Sequence, residues 1–468
     1  MQKLTKIVAT IGPATETEDI IEELIKAGMN VARFNTKHGT PEWHQERIQR
    51  VRKVAGKLGV SIGILLDLQG PEIRIDLPGK DSFELTEGEE VVFSFNKKRT
   101  ENKLVLIPEN VVDTLQRGNL ILLDDGVCEF EITSKGEDYF KAKALGDFEV
   151  KHRKTLNTPG ITIDMPSLIE ADRVQLNGLK NSEIDFVGLS FVRDKADIKI
   201  LRRELDKRKI TADIISKIEN QSALDNLDEI IEESEAVMVA RGDLAVEVPF
   251  EQLSYWQKMI IAKCRFLGKP VITATQMLMS MVESPRPTRA EVSDVANSVY
   301  DSTSAVMLSE ETTIGSFPVK TVATQAKIVA FNENHTESFI DDWVEKGDSA
   351  CVSHAAIYLL QHRQQDFDGI ICVTETGETA KLLARFRPNV PIRAITHNKK
   401  TYHQLSLVYG VEPFLVDWTG TKINSQQELV SLIKQNKIAV KDEQILLVYG
   451  AGKIFKPGFT NSISLVTI

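Results

Sequence analysis

Two short apolar runs in this chain end in charge. The first, Ile215-Ser216-Lys217-Ile218-Glu219-Asn220, sets a lysine and a carboxylate two residues apart, so both side chains leave a strand on one face. The second, Met238-Val239-Ala240-Arg241-Gly242-Asp243, closes on an arginine and a carboxylate flanking a glycine, just ahead of a helical pattern. An amine and two carboxylates converging at strand ends can hold a divalent cation and steady a phosphoryl group in transit. Either motif alone reads equally well as solvated loop charge. The elements that position them decide.

Short β-rich runs recur at 6–11, 30–34, 62–67, 185–190, 213–218, 236–240, 270–275 and 304–308, with helical periodicity between them. Strands alternating with helices imply a parallel sheet, and eight such units predict a closed (β/α)8 TIM barrel; a doubly wound open sheet is the competing arrangement. The interval between the third and fourth runs breaks the rhythm. It carries short strand patterns at 83–85, 90–95, 120–123, 128–132 and 139–143, with turn signals at Gly79, Gly88, Gly118 and Asp125-Gly126. Residues 76–162 are therefore expected to form a small inserted β domain, a β-barrel lid on the catalytic face of the barrel formed by 1–75 and 163–340. Beyond a polar helical stretch through 332–343, apolar runs at 369–373, 392–395, 413–416, 445–448 and 463–466 predict a C-terminal α/β domain over 341–468. Helices at 349–362 and 378–386 lie between those runs.

A chain of 468 residues is too long for a single core. Its net charge of −10 argues against a nucleic-acid partner, and an anionic substrate would need a local basic pocket. No run reaches transmembrane length and the first residues lead straight into a strand, so no membrane association is expected. Cys128, Cys264, Cys351 and Cys372 lack any metal-ligand spacing and read as free thiols of a reducing cytoplasm.

In a barrel, chemistry belongs at the carboxyl ends of the strands. Read in order, those ends give Thr10-Ile11-Gly12-Pro13, Ala32-Arg33-Phe34-Asn35, Asp67 with Glu72 and Arg74, Lys217 with Glu219, Ala240-Arg241-Gly242-Asp243, and Thr273-Ala274-Thr275-Gln276. Arginines, a lysine and carboxylates gathered on one rim can hold phosphate oxygens and metal together, and the Ala-Arg-Gly-Asp turn offers backbone N–H groups to an anion.

These stretches resemble the pyruvate kinase family. The likeness runs through Lys6–Pro13, Ala27–Arg33, Gly70-Pro71-Glu72-Ile73-Arg74, Ser216–Asn220, Met238–Leu244, Ala274-Thr275-Gln276-Met277 and Pro285–Glu291, with Asp124-Asp125-Gly126 and Asn157-Thr158-Pro159-Gly160 inside the insertion. It implies phosphoryl transfer from phosphoenolpyruvate to ADP, in the cytoplasm, by a homotetramer. On that resemblance Glu219 and Asp243 ligate Mg2+ or Mn2+, Lys217 lies against the transferring phosphoryl, and Arg33 clamps phosphate. The backbone of Ala240, Arg241, Gly242 and Asp243 receives the substrate carboxylate, and Thr275 belongs to the proton path. Pro13, Asn35, His38 and Arg74 face the nucleotide, joined on closure by Asp125 and Lys154; Asn35 and Asp67 hold a monovalent cation, K+.

The chain departs from the family pattern in several places. Asn35-Thr36-Lys37-His38-Gly39 has lysine where a serine usually helps bind K+, and Asp67-Leu68-Gln69 stands where Asp-Thr-Lys is usual. The ammonium of Lys37 is therefore expected to fill the K+ site, pairing with Asp67 or Glu72, because two cations so close would repel each other. Glu310 replaces a glycine in Ser309-Glu310-Glu311-Thr312, which would strain the turn if that position needs positive φ. Ala245 replaces another glycine at a tolerant helix start. In the last domain, Thr374–Ala380 carries Glu375 and Glu378 where a phosphate-binding loop is expected, acidic unless Lys453, Lys456 or Arg385 compensates. The alternative function is a catalytically weakened paralogue that binds ligand or regulates a partner.

Overall fold

The computed structural model describes residues 3–336, 345–362, 367–417, 425–452 and 454–468. Eight parallel strands close into a barrel: β1 (Lys6–Thr10), β2 (Val31–Asn35), β3 (Gly63–Asp67), β4 (Phe186–Leu189), β5 (Asp213–Ile218), β6 (Ala236–Ala240), β7 (Val271–Ala274) and β8 (Ala305–Leu308). They pair in sequence order around the ring, and β8 returns to β1. Every strand is flanked by helices, so both faces are covered and the sequences are continuously apolar, not alternating. Val8, Val31, Leu65, Phe186, Ile215, Met238, Ile272 and Met307 fill the interior. The closed parallel barrel thus settles the choice against an open sheet, and all eight expected strands belong to it.

Between β3 and β4 the insertion forms a six-stranded mixed sheet and a two-stranded antiparallel ribbon, Ser82–Leu85 with Phe148–Lys151. Its core is separate from the barrel's and centres on Phe93, Phe130 and Phe140. The chain leaves the barrel through Gly70 (φ +72°) and returns past Gly160 (φ +72°), and the outgoing and incoming segments pair at Arg74 and Thr155. The C-terminal sheet runs Val411–Leu415, Ile392–Thr396, Gly369–Val373, Gln444–Tyr449 and Ser462–Thr467, the last antiparallel. All five expected runs are there. The expected polar helical stretch begins within helix Pro318–Glu333, and its part beyond 336 lies outside the described residues, as does Lys453. No described helix is long and apolar enough to cross a membrane.

The C-terminal sheet's helices grip the amino-terminal end of the barrel. Arg52 donates to Ile62 O (2.7 Å), Asp185 Oδ2 (2.6 Å) and His403 Nδ1 (3.1 Å), linking a barrel helix, the approach to β4 and helix Lys399–Gln404. Burial and the neighbouring Arg52 push the His403 imidazole down to about 3, so its Nδ1 is free to accept. Asp185 also takes the Ile64 N–H at 2.6 Å, fixing the lower end of β3. The upper end of that strand is Asp67.

Candidate active site

The site is built upward from Asp67. In register, Asn35 of β2 stands opposite Asp67 of β3, and Arg33 reaches across from the level below. Arg33 donates Nε to Asp67 Oδ2 at 2.7 Å and one terminal nitrogen to Thr10 Oγ1 at 2.9 Å, joining β1, β2 and β3. Lys217 Nζ, from β5, lies 3.6 Å from Asp67 Oδ1 and 2.8 Å from Glu219 Oε1, and donates to Ser190 Oγ at 2.8 Å. The ends of three strands, β3, β4 and β5, therefore meet around one buried ammonium.

Burial opposes the Lys217 charge, but Asp67, Glu219 and Asp243 outweigh it and hold the amine protonated beyond an ordinary lysine. Burial likewise pulls Asp67 upward, yet Lys217 and Arg33 overcome it and keep that carboxyl below its usual range. Glu219 goes the other way. Burial raises it, Lys217 opposes, and Asp243 adds to the rise; Asp243 is raised in the same manner, with Glu72 and Asp125 contributing. Two neighbouring carboxylates that favour protons are a pair short of positive charge.

Orphaned atoms say the same. Asp67 Oδ1 and Glu219 Oε1 are buried and have the Lys217 ammonium, at 3.6 Å and 2.8 Å, as their one described partner. Glu219 Oε2 does accept, from Phe191 N at 2.6 Å, and Phe191 sits at φ +54°, costly for a bulky residue. The donors fit Mg2+ or Mn2+: hard oxygens, two protein carboxylates, and the rest left to substrate and water. No cluster of three or more His, Cys, Asp or Glu side chains able to hold a metal occurs among the described residues.

Arg241, Gly242 and Asp243 open the short helix Arg241–Glu247 directly after β6. The Arg241 side chain is already committed. It forks onto Asp294 with both bonds at 2.7 Å and reaches Ala274 O (3.1 Å) and Thr275 O (2.7 Å). That grip holds Thr275 at φ +69° and Gln276 at φ +52°, a conformation a β-branched residue adopts only under constraint. Thr275 Oγ1 accepts the Gly242 N–H at 2.9 Å and donates to Ala274 O at 2.6 Å. On the next rim turn, Glu311 accepts from Ser309 N (2.7 Å) and Leu278 N (3.2 Å). Glu310 opens the four-residue helix Glu310–Thr313 and is not among the positive-φ residues. The anticipated strain at that substitution is absent, since a helical start accepts glutamate freely.

The outer residues form a second layer. Lys37 Nζ pairs with Glu72 Oε1 at 2.8 Å, and Arg74 Nε with Glu72 Oε2 at 2.8 Å, so one carboxylate holds two cations. Of the two partners expected for Lys37, the structure supplies Glu72; Asp67 is taken by Arg33 and Lys217. Asn35 Oδ1 accepts the Lys37 N–H at 3.1 Å. In the insertion, Lys154 Nζ pairs with Asp124 at 2.7 Å and Thr155 donates to Asp125 at 3.1 Å. Asp125 lines one cleft with Glu72, Asn157, Asp243 and Glu247 and another with Thr275 and Gln276. Pro13 and His38 are exposed beyond β1 and β2, and no described contact joins their side chains to the buried cluster.

Reading strand ends from sequence passes over the fourth, where Ser190 follows Leu189 and takes the Lys217 proton donor. Its position after an apolar run was the available signal. Asp294 and Asp172, which accepts Gln69 N at 3.0 Å and Gly70 N at 3.4 Å, lie on helices whose sequence gives no hint of the site.

The family model described as "Pyruvate kinase, barrel domain" matches residues 2–322, and that described as "Pyruvate kinase, alpha/beta domain" matches 351–466. The chain is 39% identical over 479 aligned residues to the pyruvate kinase of Bacillus licheniformis, covering 99% of this chain and 80% of that protein. It is 41% identical over 422 residues to that of Staphylococcus aureus strain MRSA252, covering 87% and 71%. A crystal structure of a pyruvate kinase from Cryptosporidium parvum superposes with a TM-score of 0.91 at 31% identity, covering 100% of this chain and 96% of that one.

A cation entering between Glu219 and Asp243 must displace the protons their neighbourhood favours. Burial pushes Glu219 up to about 7, so calorimetric Mg2+ titrations in buffers of differing ionisation enthalpy are expected to show proton release at about pH 6.5 that fades by about pH 8.5, where Glu219 is already ionised. Affinity should rise over the same interval, and Glu219→Gln should lessen the release.

Proposed function

The chain belongs to the pyruvate kinase family, and from that premise we propose how its residues divide the work. It transfers the phosphoryl group of phosphoenolpyruvate to ADP, giving pyruvate and ATP. The observation that carries the residue assignments is the buried Lys217 ammonium, fixed as a cation between Asp67 and Glu219 at the barrel mouth.

Glu219 and Asp243 hold Mg2+ or Mn2+, which when bound neutralises charge on the phosphoryl and carboxylate oxygens of the substrate. Lys217 stands against the transferring phosphoryl, where a fixed positive charge in a dry site is worth most in the transition state. Arg33, held by Asp67 and Thr10, turns its remaining N–H groups to the phosphate. The substrate carboxylate docks on the N–H groups of Arg241, Gly242 and Asp243, beside Ala240. To do so it displaces the Thr275 hydroxyl from Gly242 N–H. The freed hydroxyl, with water, then relays a proton to the methylene carbon of enolpyruvate. Pro13, Asn35, His38 and Arg74 receive the nucleotide. Residues 76–162 act as the lid that brings Asp125 and Lys154 to its phosphates, and residues 341–468 form a regulatory-type unit on the barrel of 1–75 and 163–340.

Lys37 takes the role of the monovalent cation. Its pairing with Glu72, in the layer that also holds Arg74 and borders Asn35, supports that reading. A homotetramer in the cytoplasm completes the proposal; the unpaired thiols Cys128, Cys264, Cys351 and Cys372 suit a reducing compartment.

A coupled assay of pyruvate formation from phosphoenolpyruvate, ADP and Mg2+ tests the activity. Lys217→Met should lower kcat by about 10³-fold, roughly 4 kcal/mol of transition-state stabilisation, with little change in substrate KM. In buffer free of sodium and potassium the parent protein should keep full activity, and Lys37→Ala should become potassium-dependent; strong activation of the parent by potassium would reject the role given to Lys37. Sedimentation velocity at assay concentrations should give the mass of four chains, and a monomer would remove the tetramer from the proposal.

A further inference from the structure

The helix Arg241–Glu247 carries Asp243 in its first turn and touches the insertion with its last. Asn157, at the end of the short strand Leu156–Asn157 in the insertion, donates its side-chain N–H to Glu247 Oε1 at 3.0 Å. Beside this contact, the turn Asp124-Asp125-Gly126 passes near the same helix: a Cβ added to Gly126 would lie 3.9 Å from Val246 Cγ1. One stretch of the insertion thus bonds to this turn of barrel helix and a second approaches it. Those stretches flank Lys154 and contain Asp125.

Among the described residues no cation pairs with Glu247. It is half-buried, its carboxyl is raised by burial, and Asn157 is the hydrogen-bond donor that favours its ionised form while Asp243 disfavours it. A carboxylate kept out of water against a nearby like charge is expensive unless it does something for the fold. Nothing in the barrel core needs it, since the helix is anchored there by Leu244. Its described partner lies across the cleft, in the insertion.

We propose that Glu247 is a positioning residue which, through Asn157, latches the lid onto the helix that presents Asp243, and so sets how readily the lid groups meet the nucleoside diphosphate. This rests on the assignment of Asp125 and Lys154 to the nucleotide. The latch stands in the wall of the cleft and acts through the position of the lid. If it is lost, the closed arrangement is less populated, and apparent affinity for ADP falls by that fraction. Phosphoenolpyruvate, held by barrel residues, is little affected.

The test compares Asn157→Ala, Glu247→Ala, their double variant and Glu247→Gln, which keeps an acceptor for Asn157. The two alanine variants are expected to raise KM for ADP about five- to tenfold, with kcat and KM for phosphoenolpyruvate within about twofold. The double variant should be no worse than either single one, and Glu247→Gln should stay near the parent. Amide hydrogen exchange across 155–162 should quicken in the alanine variants alone. Should Glu247→Ala fail to fold, Asn157→Ala and the charge-repelling Asn157→Asp, both at a half-exposed position, carry the test. Unchanged ADP KM and unchanged exchange in Asn157→Ala would overturn the latch, as would a Glu247→Gln variant as impaired as Glu247→Ala. A parent protein that forms no pyruvate would instead overturn the function, while the exchange measurement reads the latch without turnover.

Discussion

Everything at the barrel mouth depends on keeping one ammonium charged where water is scarce. Lys217 would lose its proton in an apolar interior, and it keeps it because Asp67 and Glu219 stand within ion-pair distance. Each of those carboxylates is in turn committed elsewhere: Asp67 to Arg33, Glu219 to the Phe191 N–H. Asp243, the third carboxylate supporting the Lys217 charge, lines the cleft itself. Removing any one member leaves another buried and unpaired, which is why these positions act as a set.

Strain is stored in the same neighbourhood. Phe191, Thr275 and Gln276 all hold positive φ, and none is a residue type that chooses it. Each is clamped from outside: Phe191 through Glu219, Thr275 through the carbonyl contacts of Arg241, itself forked on Asp294. Gly70 shows the opposite solution. A Cβ there would fall 2.7 Å from Ser190 Cβ, so the first crossing to the insertion needs a residue without one.

Much of the architecture was legible in the chain because parallel strands buried on both faces leave apolar runs, and the charged residues that interrupt those runs mark the strand ends. Lys217, Glu219, Arg33, Asp67 and Asp243 were all visible that way, and the structure gathers them. The insertion was less so. Leu104–Leu106 and Phe148–Lys151 are too short to carry a period, and the helix Glu109–Thr114 hides between them. The commitments of side chains were not legible at all. Sequence offers Arg241 as a free cation, whereas Asp294, fifty-three positions away, has already claimed it. Lys37 had two possible partners in sequence, and only packing decides that Glu72 is one of them. The expectation of strain at Glu310 failed because a residue type cannot reveal its own φ.

The pairing of Arg74 with Thr155 means that the two chain crossings into the insertion run side by side. A long excursion that comes home next to its point of departure behaves, once its own core around Phe93 and Phe140 has formed, like a tight connector between β3 and β4. The entropy of bringing those two strands together is then set by a few residues and not by the whole inserted length. The longest interruption of the ring thus adds little to the entropy of closing it.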